Sequence, residues 1–115
     1  MSLLKKLFGI HTNIPTISPQ EAYQMMNVSN EHILLDVRTA SEYKEVRIDG
    51  AKLIPVDELS RRALAELPDK HRTVFIYCHS GARAAKAADL LVGMGYTKVF
   101  SFGGIVNWPY ETING

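Results

Sequence analysis

Runs that are apolar on both faces recur along the chain, separated by stretches with helical spacing. Ile33-Leu34-Leu35-Asp36-Val37 is apolar apart from the acidic residue near its end, and Thr73-Val74-Phe75-Ile76-Tyr77 reads the same way before running into Cys78. A strand covered by helices on both faces has this look, whereas a strand with one wet face alternates. Thr16-Ile17, Lys52-Leu53-Ile54 and Lys98-Val99-Phe100 are shorter candidates, so the pattern predicts about five strands. Helical signals lie between them. Ser18-Pro19-Gln20-Glu21 combines an N-cap serine, a proline at the first helical position and a glutamate that closes a capping box. Thr39-Ala40-Ser41-Glu42 repeats the box directly after a strand. Asp57 to Leu67 predicts a helix ended by Pro68, and Ala82 to Val92 another that stops near Gly93 and Gly95. Ala84, Ala87, Ala88 and Leu91 share one face of that last helix, where small side chains let it lie close to a sheet. Alternating strands and helices predict βα units and a mainly parallel sheet.

Composition narrows the class. With 115 residues, 46% of them apolar, the chain suits one domain with one real core. That apolar share and a net charge of +1 oppose disorder and give no long-range attraction to nucleic acid or to a membrane surface. One cysteine closes no intrachain disulfide, and together with histidines at 11, 32, 71 and 79 it shows no metal-ligand spacing. No apolar run approaches the ~18 residues of a membrane span. Residues 1–14 begin Met1-Ser2-Leu3-Leu4-Lys5-Lys6-Leu7-Phe8-Gly9-Ile10, and the lysines are not followed by the long apolar run of a signal peptide. They are read as an N-terminal extension to a domain over residues 15–115, and the expected compartment is the cytoplasm.

The chemistry converges on Tyr77-Cys78-His79-Ser80-Gly81-Ala82-Arg83. A buried strand delivers a nucleophile at its carboxyl edge, where open α/β sheets bind ligands. Gly81 permits a sharply curved loop whose N–H groups turn inward as an anion nest. The helix that follows adds unpaired N–H groups and its positive end, and Arg83 adds a fixed charge. Each favours a thiolate over a thiol, so Cys78 is expected to be nucleophilic near neutral pH. The plainer alternative is a small buried apolar residue, common for free cysteine, and the loop, helix start and arginine weigh against it. His79 follows its neighbour too closely to serve as its base and is expected to face solvent. Phosphatase and arsenate-reductase loops resemble this one but hold one residue more between Cys and Arg. The tighter ring suits an added sulfur atom, whose negative charge it would stabilise as an oxyanion hole does.

With these residues in place, the sequence resembles single-domain rhodaneses, sulfurtransferases of the rhodanese homology family. The resemblance covers about residues 15–110. It rests on Leu35-Asp36-Val37-Arg38 with Glu42-Tyr43, Ile48-Asp49-Gly50-Ala51 with Ile54-Pro55, and the loop from Cys78 to Arg83. Leu90-Leu91, Gly95-Tyr96, Val99 and Gly103-Gly104-Ile105 with Trp108 follow in the family's order. It implies an α/β fold with a parallel sheet of about five strands and helices on both faces. It also implies that Cys78 takes a sulfane sulfur from a donor such as thiosulfate and passes it to cyanide or to a small-molecule or protein thiol. His79, Ser80, Gly81, Ala82 and Arg83 would form the persulfide cradle, with the Arg83 side chain attracting an anionic donor and no metal or organic cofactor required. Two positions depart from the family. Arg47 precedes Ile48-Asp49-Gly50-Ala51 where a histidine is common, and Ala84 follows the loop where serine is common.

Asp36 and Arg38 stand at a strand end; an ion pair or loop-anchoring hydrogen bonds is the preferred reading, with support of the active loop as the functional one. Gly103-Gly104 suggests a turn into a final helix, with Trp108 packed under it. Arg61, Arg62 and Glu66 read as a solvated helix face. Two other functions compete: a rhodanese-like docking or regulatory module without catalysis, and a phosphatase or arsenate reductase.

Overall fold

A computed structural model describes residues 16–115; the extension expected over residues 1–14 lies outside them. In chain order the elements are α1 (Pro19–Val28), β1 (Ile33–Asp36), α2 (Ala40–Glu45), β2 (Val46–Arg47), β3 (Lys52–Leu53), α3 (Val56–Glu66), β4 (Val74–Cys78), α4 (Ala82–Gly93) and β5 (Val99–Gly104). A 3-10 turn (Ile105–Asn107) and β6 (Ile113–Asn114) complete it. The capping boxes form as expected: Ser18 and Glu21 start α1, Thr39 and Glu42 start α2, each pair exchanging side chain and backbone bonds.

The strands β3, β1, β4 and β5 lie side by side in that order as one parallel sheet. The two apolar runs are its central pair, which is why neither alternates. Thr16-Ile17, the fifth candidate, contributes one parallel bridge from Thr16 to Ser101, so among the described residues the sheet has four full strands. Ser18 already caps α1, so on that side the pairing can run no further than Ile17.

Successive side chains point to opposite faces and feed two cores. Leu35, Val37, Val74, Ile76, Cys78 and Val99 join Leu59 and Ala63 of α3 and Ala84, Ala87, Ala88 and Leu91 of α4. Leu34, Phe75, Tyr77 and Phe102 meet Ala22 of α1, Ile48 and Ala51 on the other face. Helices therefore cover both faces, as the double-sided apolar strands require.

Two features lie beyond the sequence pattern. β2 pairs antiparallel with β6, Val46 opposite Asn114 and Arg47 opposite Ile113. After β5 the chain makes a 3-10 turn rather than the expected helix. Pro109 follows Trp108 directly, disfavouring helical backbone there. Among the described residues no helix is long and apolar enough to cross a membrane.

Candidate active site

Cys78 is the last residue of β4 and is 1% exposed. The chain then turns through His79 and Ser80, both exposed, to Gly81, the N-cap of α4. Gly81 has φ +128°, a conformation open to glycine and strained for any residue with a Cβ. The turn brings the Gly81 N–H to 3.0 Å from Cys78 Sγ, to which it donates. The Gly81 carbonyl accepts the first α-helical bond, from Ala85 N–H at 3.0 Å. Because glycine offers no capping side chain, the first-turn N–H groups of α4, on Ala82 and Arg83, have no intrahelical acceptor. Sulfur, a donated N–H and a helix start with its positive end are thus gathered at one strand terminus. That arrangement stabilises negative charge on Sγ or on an atom attached to it.

The loop is held from the β5 side. The β4–β5 register runs from Ile76 opposite Ser101 to Cys78 opposite Gly104, so β5 carries one extra residue there. Gly103, at φ +86°, sits in that bulge. Gly104 then lies so close that a Cβ on it would fall 1.9 Å from the His79 carbonyl oxygen and 2.5 Å from Ser80 N. Val106 N–H donates to the same His79 carbonyl at 3.2 Å. Gly103-Gly104 is therefore a seat for the loop, a role that a bare Gly-Gly after a strand does not announce.

Arg83 is half-buried, and its guanidinium is engaged by Glu42 of α2. Nη1 donates to Oε1 at 2.6 Å and Nη2 to Oε2 at 2.9 Å. The Arg83 bonds, together with those from Thr39, hold the Glu42 carboxyl down at about 2 against the outward pull of burial. Glu42 was legible in sequence as a capping residue and as part of the Glu42-Tyr43 block, but not as a partner of Arg83, which lies 41 positions away.

Asp36 and Arg38 form a buried ion pair, 2.7 Å from Nη2 to Oδ2. Arg38 Nη2 also donates to the Val46 carbonyl at 2.6 Å, and the Arg38 backbone N–H to Asp36 Oδ1 at 3.0 Å. Burial alone would make the guanidinium less basic, but the bonds and charge of Asp36 outweigh it and raise the Arg38 pKa. The pair ties the end of β1 to the end of α2 and makes no hydrogen bond to residues 79–83. Beside it the Tyr77 hydroxyl accepts the Ile48 N–H at 3.1 Å, and burial keeps that phenol protonated.

Two open clefts lie away from Cys78. One of about 620 Å³ is at the amino ends of the strands, by His32, His71 and Lys98; another of about 810 Å³ is beside Tyr23, Ile48 and Trp108. Among the described residues no group of three or more His, Cys, Asp or Glu side chains is placed to hold a metal ion.

The Rhodanese-like domain profile matches residues 18–110. The chain belongs to the rhodanese family. It is 35% identical over 81 residues to the thiosulfate sulfurtransferase PspE of Escherichia coli, covering 70% of this chain and 78% of the relative. A solved rhodanese with anions from E. coli superposes with a TM-score of 0.68 at 33% identity, over 73% of this chain and 99% of that one. The human single-domain sulfurtransferase TSTD1 gives 0.72 at 29% identity, over 84% and 96%. Some other curated relatives are longer, and the match spans 25% of one and 54% of another. The fold and these relatives identify a rhodanese-type enzyme.

Proposed function

We propose that this rhodanese moves a sulfane sulfur through a persulfide on Cys78, from thiosulfate or a persulfide donor to a thiol, with cyanide as a laboratory acceptor. The Cys78 thiolate attacks the outer sulfur of thiosulfate. A new S–S bond forms as the donor's own S–S bond breaks, and sulfite leaves with that bond's electron pair. The acceptor thiolate then attacks the terminal sulfur of the persulfide, and Cys78 departs as thiolate. Neither step changes the number of electrons overall or needs a cofactor.

The observation that carries the reading is the Gly81 N–H on Cys78 Sγ at 3.0 Å, at the foot of a helix whose first N–H groups lack intrahelical acceptors. A terminal persulfide sulfur is anionic and would project into the same ring of N–H groups, from His79 to Arg83. The exposed His79 serves as backbone here and carries no proton in the scheme. A lone cysteine that must stay reduced suits the cytoplasm. We take the catalytic domain as residues 15–115 and residues 1–14 as its extension.

Intact mass after thiosulfate treatment tests this. Folded protein gains one sulfur atom, cyanide or a thiol removes it, and a Cys78→Ala variant treated identically gains none. If neither thiosulfate nor a small persulfide loads the folded protein, the reading fails. Turnover of phosphatase substrates, or docking without chemistry, would then replace it.

A further inference from the structure

The cation nearest the loop in sequence does not stand free at the mouth. Arg83 is the second residue of α4, two positions beyond the glycine whose N–H meets Cys78 Sγ. Left alone, it would draw small anions to the sulfur. Glu42 instead covers the guanidinium with two parallel N–H···O bonds, the strongest geometry for this pair. Glu42 is itself pinned, because Oε1 also accepts the Thr39 backbone N–H at 3.0 Å and the Thr39 hydroxyl at 3.1 Å. The carboxylate is thus built into the start of α2 and cannot swing aside without undoing the cap. The two side chains are 35% and 31% exposed, so the neutralised pair is part of the protein surface at the start of α4.

We infer that Glu42 determines specificity by holding Arg83, keeping the entrance to Cys78 free of net side-chain charge from this pair. It thereby ranks uncharged substrates and persulfides carried on larger thiols above small dianions such as thiosulfate. The inference rests on Cys78 as the reacting group. Backbone N–H groups still bind the anion that forms on the sulfur, but they reach only a few ångströms, whereas an unpaired guanidinium would act on the approaching donor.

The test compares alkylation of Cys78 by iodoacetate, an anion, and iodoacetamide, its neutral analogue. In the native protein the ratio of the two rates stays within about twofold of that for a small thiol in solution. Glu42→Gln keeps the size and the capping acceptor but uncovers a unit charge. The ratio should rise on the order of three- to tenfold, and high salt should erase the rise. Arg83→Gln leaves the carboxylate alone and should lower the ratio by a similar factor, a check of opposite sign should the first variant fold poorly. In turnover, Glu42→Gln should lower KM for thiosulfate with kcat nearly unchanged. An unchanged alkylation ratio in both folded variants, or a loss of kcat without a change in KM, overturns the inference and leaves the pair a structural clamp. Alkylation needs no sulfur transfer, so failure of the persulfide reading would show separately, as the absence of the added sulfur.

Discussion

A hydrogen atom at position 104 is what lets β5 seat the active loop. The φ of Gly104 is −143°, which any residue can adopt, so the demand is purely for space. The atoms in the way are backbone atoms of His79 and Ser80, which cannot turn aside as a side chain would. Gly104→Ala should therefore cost about 2–3 kcal/mol and, by displacing the cradle, abolish most sulfur loading. Gly103→Ala meets no atom within 4 Å but must hold φ +86°, so it should cost about 1–2 kcal/mol with loading retained. Urea unfolding with intact mass after thiosulfate separates the two. The proposed nucleophile, the turning glycine and the arginine were legible in one run of residues because that run is a single local turn. Gly104 and the Glu42 pairing were not, since both are contacts between distant segments.

Between elements, the first turn of α2 is bound to the first turn of α4 through Glu42 and Arg83. Glu42 titrates at about 2 in the folded protein against an ordinary value of 4.5. The unfolded chain therefore holds more protons between these values, and the pair's stabilisation grows as pH rises through that window. It is complete above about pH 5 and disappears as pH falls through about 2. For a pair open to solvent this is about 1 kcal/mol. Urea unfolding from pH 3 to 7 should show native protein and Glu42→Gln converging toward the acid end and separated by a constant gap above pH 5. A gap that does not change with pH would mean that the carboxylate charge contributes nothing. The helices α1 and α2 were readable because a capping box joins residues three apart. β2 and β6, of two residues each, carry no period of their own and exist through each other.

Across the whole molecule, the Asp36–Arg38 pair lies where the sheet's carboxyl edge closes over. Both side chains are essentially inaccessible, at 0% and 2%, and Arg38 also satisfies the Val46 carbonyl. Arg38→Met removes one partner and strands a buried carboxylate, which should cost about 3–5 kcal/mol. Replacing both, as Asp36→Leu with Arg38→Met, should recover part of that loss. Equal losses for the single and double variants would show that packing, not the stranded charge, sets the cost. Because the pair fixes the end of α2, the single variant should also loosen Glu42 and raise the iodoacetate preference at Cys78.

The amino-acid sequence by itself determined the alternating α/β order, the two central strands, the capped helix starts and the run from Cys78 to Arg83 on which the proposed chemistry rests. Each of these is encoded by side-chain period or by residues within a turn of one another. Tertiary structure alone decided that the fifth strand is one bridge, that the chain closes with an antiparallel pair, and that a glycine pair seats the loop. It also decided that the loop's arginine is neutralised from 41 positions away. Such contacts form only after the sheet has ordered its strands, because the energy of a clash or an ion pair depends on distance in space, which separation along the chain does not set.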